Sequence, residues 1–228
     1  MGLRVGVASG AVDLGALKRG SSHSADFFLI SNTVSSLPIN LKFRKEDEAF
    51  LRASDRINIS EVSEEDFKSW INFLDGKSFV LSPEKHFFPS SGIDANKKHE
   101  FVLNVPEDAE PGYHLGGISI KPKPSVTSDQ MGARHVATAK LRMVFRVLGE
   151  VSRGVNVAGF LGRRVSEDRL KVEVYFKNNG NVSQSLSLES ISILDNNGSV
   201  LKKSSGTSEL AEPGSIVSPV ASFSMNGI

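Results

Sequence analysis

The 228-residue chain carries 27 Lys and Arg residues against 26 Asp and Glu residues, a formal net charge of +1. This balance gives the protein no overall attraction to nucleic acid or to an anionic membrane surface. The chain has no cysteine, which excludes disulfides, thiol nucleophiles and thiolate metal sites. Its hydrophobic content of 39% is enough for a packed core. No apolar run reaches the roughly 18 residues that span a bilayer.

Short apolar runs bounded by Gly, Pro, Asn, Asp and Ser dominate the first part of the chain and are typical of β-strands. Residues 37–43 alternate apolar and polar side chains, the pattern of a half-buried strand. Further strands are predicted at 3–8, 11–17, 25–31, 79–82, 99–105, 113–121 and 137–148. Together these runs predict an immunoglobulin-like β-sandwich over residues 1–150.

A charged stretch near 44–75 interrupts this strand pattern. Ser63 is followed by three acidic residues, as at a helix N-cap with an acidic first turn. Apolar residues then follow at helical spacing, which predicts a short amphipathic helix over about 63–74. The side chains expected to pack this helix against the sandwich are Phe67, Trp70 and Leu74.

Residues 151–228 predict a second immunoglobulin-like sandwich. Its strands are expected at 155–161, 169–177, 184–194, 200–203 and 215–224. Asp195 to Gly198 predicts a tight hairpin, because Asn-Gly supplies the positive φ that such turns need. This module is at least one strand short of a closed sandwich, and either missing sequence or a partner strand would complete it. The sequence stops within a strand-like pattern, which either a native C-terminus or an ectodomain cut ahead of a membrane anchor would give, and we favour the cut.

No motif for chemistry stands out. The chain has no Gly-x-Ser-x-Gly elbow, P-loop or dinucleotide-binding glycine motif. His99 and His114 fall on consecutive predicted strands and would face each other there, but a metal site needs a third ligand. We expect both histidines at surface or edge positions. The sequence therefore predicts a protein without enzymatic activity, with no catalytic residue, metal site or cofactor.

The candidate binding residues lie on exposed segments, since loops on a rigid sandwich commonly carry binding. One is Trp70 on the predicted insertion. Three others are on or beside the polar loop 122–131: Lys121, Lys123 and Val126. The open edge of the second sandwich is a further candidate, because an unpaired edge accepts a partner strand. Possible glycosylation sites, each in an Asn-x-Ser triplet, are Asn58, Asn181 and Asn197.

Several runs of the sequence carry a resemblance to a known family. They are residues 79–83, 99–106, 111–120 with Gly116-Gly117-Ile118, 140–148 and 172–181. In this order the first four resemble the first domain of WxL-interacting surface proteins and related prokaryotic immunoglobulin-like surface repeats, and 172–181 is similar to the matching strand of the same repeats. The resemblance implies extracellular, membrane-tethered modules that bind a protein or a wall polymer. The charged insertion departs from the family pattern. A weaker likeness is to periplasmic pilus chaperones, which also have two immunoglobulin-like domains, and no chaperone residue is carried over from it.

The predicted fold is all-β, with two tandem immunoglobulin-like β-sandwich domains, the first with a short helical insertion. The predicted function is binding or scaffolding in the cell envelope or at the cell surface, with a protein or a cell-wall polymer as partner and no nucleic acid. A membrane would be reached only through a tether outside this chain. The alternative is a periplasmic-type chaperone that donates a strand to pilus-like subunits. A third option is an accessory domain of a carbohydrate-active enzyme.

Overall fold

The computed structural model describes residues 5–45, 57–123 and 137–225. It confirms the all-β class and the immunoglobulin-like sandwiches. The chain divides into two compact units. Unit 1 comprises Met1–Val62 with Asp66–Gly149, and unit 2 comprises Ser63–Glu65 with Glu150–Ile228.

Unit 1 is a two-sheet sandwich. Its strands are β1 (Val5–Ala8), β2 (Ala11–Leu17), β3 (Ser22–Ser31), β4 (Leu37–Lys45), β5 (Ile71–Phe73), β6 (Ser78–Leu81), β7 (His86–Phe88), β8 (Ile93–Ala95), β9 (Lys97–Asn104), β10 (Gly112–Pro122) and β11 (Ala139–Val147). One sheet has the order β1-β3-β9-β5 and the other β2-β11-β10-β4-β6, while β7 and β8 form a separate hairpin.

The first two strands are two halves of one run that changes sheets. Strand β1 pairs antiparallel with β3, whereas β2 pairs parallel with β11. The change falls at Ser9, whose φ of 66° lies in the left-handed region, and at Gly10. A residue with positive φ reverses the local direction of the backbone, so the two halves can serve different sheets.

Aromatic side chains fill the space between the two sheets. The ring of Phe67 meets Phe43, Phe145 and Trp70 at centroid distances of 5.0, 4.9 and 6.0 Å. Gly116 on β10 makes this packing possible, since a Cβ there would lie 2.5 Å from Phe67 Cζ and 2.8 Å from Phe43 Cζ. Gly116 thus marks a position in the strand where neighbouring side chains approach the backbone closely.

The predicted helix over 63–74 is wrong. The described residues of that segment contain a single 3₁₀ turn, Lys68–Trp70, followed directly by β5. Ile71 and Phe73 are buried while Asn72 between them is exposed, which is the period of a strand. Pairing of β5 with β9 outweighs the helical spacing, because it buries Ile71 and Phe73 in the core, whereas a short helix is marginally stable without such packing. Leu74, expected in the core, is exposed.

The two histidines are buried, contrary to the prediction of surface or edge positions. His99 lies on β9, stacked on Phe79 at 4.8 Å, and His114 lies on β10, parallel to Phe145 at 5.1 Å. They belong to different sheets, so they do not form the predicted facing pair. The Nε2–H of His114 donates to the carbonyl of Glu110 at 2.9 Å.

Unit 2 has a long hairpin at its centre. Its strands are β12 (Val155–Ser166), β13 (Arg169–Asn178), β14 (Gln184–Ser187), β15 (Ile191–Leu194), β16 (Val200–Ser204), β17 (Ser208–Ala211), β18 (Ile216–Val217) and β19 (Val220–Ser224). Strand β13 pairs with β12 on one side and with β18 and β19 on the other. The pairs β14-β17 and β15-β16 form two smaller sheets.

The hairpin predicted at Asp195 to Gly198 is confirmed. It joins β15 to β16, and Gly198 has a φ of 82°. The carboxylate of Asp195 accepts the backbone N–H groups of Asn197 and Ser199, each at 2.8 Å. By contrast, the single strands predicted at 184–194 and 215–224 are each divided, the second of them before Pro219, which has no N–H to donate to a ladder.

We predict that Gly116→Ala destabilises unit 1 by about 1 to 3 kcal/mol, because the new methyl group forces Phe67 and Phe43 out of their contact. The measurement is urea unfolding followed by fluorescence of Trp70, the one tryptophan of the chain. Gly10→Ala is the matched control, since a Cβ there meets no atom within 4 Å. Equal midpoints for the two variants would contradict the packing role of Gly116.

We also predict that unit 1 loses stability below pH 6.5. Burial lowers the pKa of both His99 and His114 from the usual 6.5. The unfolded chain therefore takes up protons at a pH where the folded unit does not. The free energy of unfolding consequently decreases as the pH is lowered below 6.5. The limit is about 1.4 kcal/mol per pH unit for each histidine. The measurement is Trp70-monitored unfolding between pH 5 and pH 8.

The variant that isolates this effect is His99→Phe, which removes one titrating group from the aromatic cluster. It should flatten the pH dependence, whereas His86→Gln, at an exposed position, should leave it unchanged. An undiminished pH dependence in His99→Phe would assign the loss of stability to groups other than His99.

Candidate functional site

The structure places Trp70 in the core of unit 1. The side chain is only 6% exposed and packs on His114 and Phe145 at 5.1 and 6.1 Å. A buried indole contributes to stability through the apolar area it removes from water. Trp70 is therefore a core residue and not a surface contact.

The other binding candidates of unit 1 lie at the end of β10. Lys121 is exposed and pairs with Asn40 of β4 in the ladder. Lys123 is exposed, and its backbone N–H donates to the carbonyl of Pro38 at 2.8 Å. Val126 lies outside the described residues. The two lysines are thus anchored by their backbones at the start of the predicted loop, with their side chains toward solvent.

The three candidate glycosylation sites differ in their surroundings. Asn58 is exposed, and its Oδ1 accepts the backbone N–H of Ser60 at 3.1 Å. Asn197 is exposed at the tip of the β15–β16 hairpin. The amide of Asn181 is engaged on both sides, donating to the carbonyl of Glu150 and accepting from the backbone N–H of Ser152. All three asparagines are exposed, and Asn197 alone of them lies at a hairpin tip.

Strand β12 lies at an edge of its sheet in unit 2. Within the described ranges this twelve-residue strand pairs only with β13, so one row of its backbone N–H and C=O groups faces outward. Such a row is a template for an additional strand. The ladder with β13 is regular from Gly159 to Arg164, with a register shift on either side of that stretch.

The register with β13 shows which side chains of β12 face the core. Val174 and Val172 of β13 pack against the core of unit 2, and they lie opposite Phe160 and Gly162. Phe160 therefore lies on the inner face, yet it is 78% exposed. No described strand covers it from the opposing sheet, so the sandwich is open at this edge.

An apolar cleft of about 390 Å³ lies beside Phe160. Its lining comes from four strands and consists of Phe160, Gly162, Val172, Val174, Ile191, Ser192, Ile193 and Phe223. None of these side chains is charged. A Cβ at Gly162 would meet no atom within 4 Å, so the cleft reaches the backbone of β12 at this point. The cleft presents apolar surface and an unpaired strand edge together.

Phe160 and Gly162 were not predicted as site residues. A strand was predicted over 155–161, and the sequence signal that was available is Gly162 directly after it. A glycine inside a strand often marks a place where another backbone approaches closely. The exposure of Phe160 depends on the order of the strands, which alternation of side chains does not reveal.

Asn178 connects the end of β13 to the segments around it through its side-chain amide. Its side chain is fully buried, and Nδ2 donates to the carbonyls of Val182 and Ala211 at 2.9 and 2.8 Å. Oδ1 accepts the N–H of Gly180 at 2.9 Å and Nε2–H of Gln184 at 2.7 Å. All four hydrogen-bonding positions of the amide are thereby satisfied.

The turn after Asn178 fixes the start of β12. The N–H of Asn179 donates to the carbonyl of Gly154 at 2.8 Å. At Gly180 a Cβ would lie 2.5 Å from the carbonyl oxygen of Ser152, so only glycine allows this close approach. The free edge of β12 is therefore positioned by contacts within unit 2.

The outer face of the hairpin is polar. Arg163 pairs with the carboxylate of Glu173 at 3.4 Å, and the hydroxyl of Tyr175 donates to that same carboxylate at 3.1 Å. This hydrogen bond raises the pKa of Tyr175 above its usual value. The two faces of β12 thus differ: the outer face carries Arg163 in an ion pair with Glu173, and the inner face is apolar and uncovered from Val157 to Gly162.

The part of the chain that the structure describes contains no group of three or more His, Cys, Asp or Glu side chains placed to hold a metal ion. No helix in those same ranges is long and apolar enough to cross a membrane. The uncharged lining of the cleft and the free edge of β12 offer hydrophobic contact and backbone hydrogen bonding.

No protein-family model matches the chain, and no curated protein matches it. Solved structures with a similar arrangement include a protein of unknown function from Porphyromonas gingivalis, at 8% identity and a TM-score of 0.40 over 96% of this chain and 83% of that one. The Escherichia coli chaperone DraB follows at 13% identity and a TM-score of 0.39, over 96% of this chain and 87% of that one.

The Salmonella enterica SafA pilin in complex with the SafB chaperone is similar at 13% identity and a TM-score of 0.38, over 98% of this chain and 85% of that one. Likenesses at this level carry no information about function. The class of protein is set by the chain's own strands: two immunoglobulin-like sandwiches, the second with an open apolar cleft.

We predict that Asn178→Ala destabilises unit 2 by about 3 to 5 kcal/mol, because several buried polar groups lose their partners at once. The measurement is hydrogen exchange of peptides from 155–217, which should lose protection. Asn179→Ala is the control, since Asn179 is exposed and its hydrogen bond to Gly154 is made by the backbone N–H. Unchanged protection in the Asn178 variant would show that its network is dispensable.

Proposed function

We propose that this protein is a non-enzymatic binding module of the cell envelope that takes up an extended segment of another protein as an added strand at β12. The observation that carries the proposal is Phe160, which lies on the inner face of the sandwich and is nevertheless 78% exposed. A partner strand along β12 would pair its backbone and cover this ring. Affinity in such complexes comes from main-chain hydrogen bonds and specificity from alternate side chains.

The envelope location rests on the resemblance of the sequence to WxL-interacting surface proteins. A protein is favoured over a wall polymer as the partner because the cleft is lined by uncharged, mostly aliphatic side chains. Polysaccharides carry many hydroxyl groups, and burying these without hydrogen bonds is unfavourable. An extended peptide supplies both apolar side chains and backbone donors and acceptors.

Strand donation, as in a chaperone for pilus-like subunits, would use the same strand, but this protein would then supply the strand and the partner would receive it. In that case β12 itself, with Val157 and Phe160 both largely exposed on its inner face, would enter a groove of the partner. The two functions make different demands on Gly162. Uptake of a strand needs the space above Gly162, whereas donation of β12 tolerates a small side chain there.

The predicted result for Gly162→Val follows from this difference. The probe is a fluorescein-labelled peptide of about ten residues, the length of a long strand, in which valine alternates with threonine. Anisotropy should show saturable binding to the wild-type protein and at least about tenfold weaker binding to the variant, a change of about 1.4 kcal/mol. Gly159→Val is the matched control, because Gly159 lies opposite Tyr175 on the outer face and is equally unobstructed.

A second probe tests the hydrogen bonds. N-methylation of the peptide amides that face β12 should abolish binding, since each removed N–H leaves an edge carbonyl of β12 without a donor. Failure of the unmodified peptide to bind would contradict strand uptake, as would occupation of the cleft in solution by other residues of the protein's own chain. Loss of partner binding in Phe160→Ser but not in Gly162→Val would favour strand donation instead.

A further inference from the structure

The inner face of β12 is not apolar along its whole length. In register with the core-facing side of β13, it presents Val157, Phe160, Gly162 and then Arg164, which lies opposite Leu170. Arg164 is exposed and comes at the end of the regular stretch of the ladder. A single cationic residue thus follows the uncharged lining of the cleft.

Arg164 differs from its neighbour Arg163 in its partners. Arg163, on the outer face, pairs with the carboxylate of Glu173. The Nε and one Nη of Arg164 donate to the backbone carbonyl of Glu167, and no carboxylate among the described residues forms an ion pair with it. Since a guanidinium has five N–H donors, three remain for a further acceptor.

A strand that covers the cleft would also pass over Arg164. If that strand were neutral there, it would remove water from the guanidinium without replacing the hydrogen bonds, which is unfavourable. A carboxylate at that position supplies the missing acceptor, in the planar geometry that arginine binds best. A charge farther along the strand would face only uncharged lining residues and would stay unpaired.

We propose, resting on the proposed function, that the cleft selects a segment with alternating apolar side chains and one Asp or Glu at the end that lies over Arg164. The apolar side chains cover Phe160 and fill the space above Gly162. The carboxylate pairs with Arg164 and fixes both the direction and the register of the bound strand.

The test uses three peptides that differ only in the terminal inner-face residue: glutamate, glutamine or lysine on the valine–threonine repeat. The wild-type protein should bind the glutamate peptide about three- to tenfold more tightly than the lysine peptide at low salt. The preference should shrink as salt screens the pair. In Arg164→Glu the order should invert, so that the lysine peptide binds more tightly.

The control is Lys177→Glu, which makes the same change in charge at an exposed position on the outer face of β13. It should keep the wild-type preference, which separates a local pair from the overall charge. Circular dichroism checks that both variants keep their strand content. A preference that survives in Arg164→Glu would overturn the selection by Arg164.

The outcomes also separate this inference from the function on which it rests. Equal binding of all three peptides to the wild-type protein, abolished by Gly162→Val, would leave strand uptake standing and overturn the carboxylate rule. Absence of binding by every peptide would overturn both.

Discussion

The apolar inner face of each β-sheet has to be covered in both units, because an uncovered face exposes to water the side chains that drive folding. Unit 1 meets this demand internally: its two sheets cover each other, and Phe67 packs so closely that only a glycine fits at 116. Unit 2 meets it only in part. The cluster of buried apolar side chains beside β13 consists of Leu188, Ala221 and Phe223, with partly buried side chains around them. The cleft at β12 is the remaining, uncovered part of that face.

The buried amide of Asn178 in unit 2 has its hydrogen-bond partners, whereas part of the unit's apolar inner face is uncovered. Asn178 has all four positions of its amide occupied and ties the end of β13 to two other segments. The turn that follows holds the chain ahead of β12 through Gly154 and Ser152. The edge is therefore in place before any partner arrives. A preformed edge lowers the entropy that binding must overcome, so the same apolar area yields more affinity.

Much of this fold could be predicted from the sequence, because strand β4 and the Asp195 hairpin are determined by local alternation and turn chemistry. The segment after Ser63 could not. Phe67, Trp70 and Leu74 fit a helical period, and the outcome depended on the distant pairing of β5 with β9. The same holds for the site. An open edge follows from counting strands, but the exposure of Phe160 follows from which strand stands opposite it, and that is a property of topology.

An exposed strand edge can also pair with the edges of other protein chains. Strand β12 has two features that limit such unspecific pairing. Register shifts interrupt its ladder after Val157 and after Arg164, so the regular template is confined to Gly159–Arg164. Bulges and charged residues both discourage edge-to-edge pairing between copies of a protein. The charge at Arg164 has a second consequence, because it penalises a neutral strand and favours one that brings a carboxylate. Under the proposed selection, the charge that discourages edge-to-edge pairing also defines the partner.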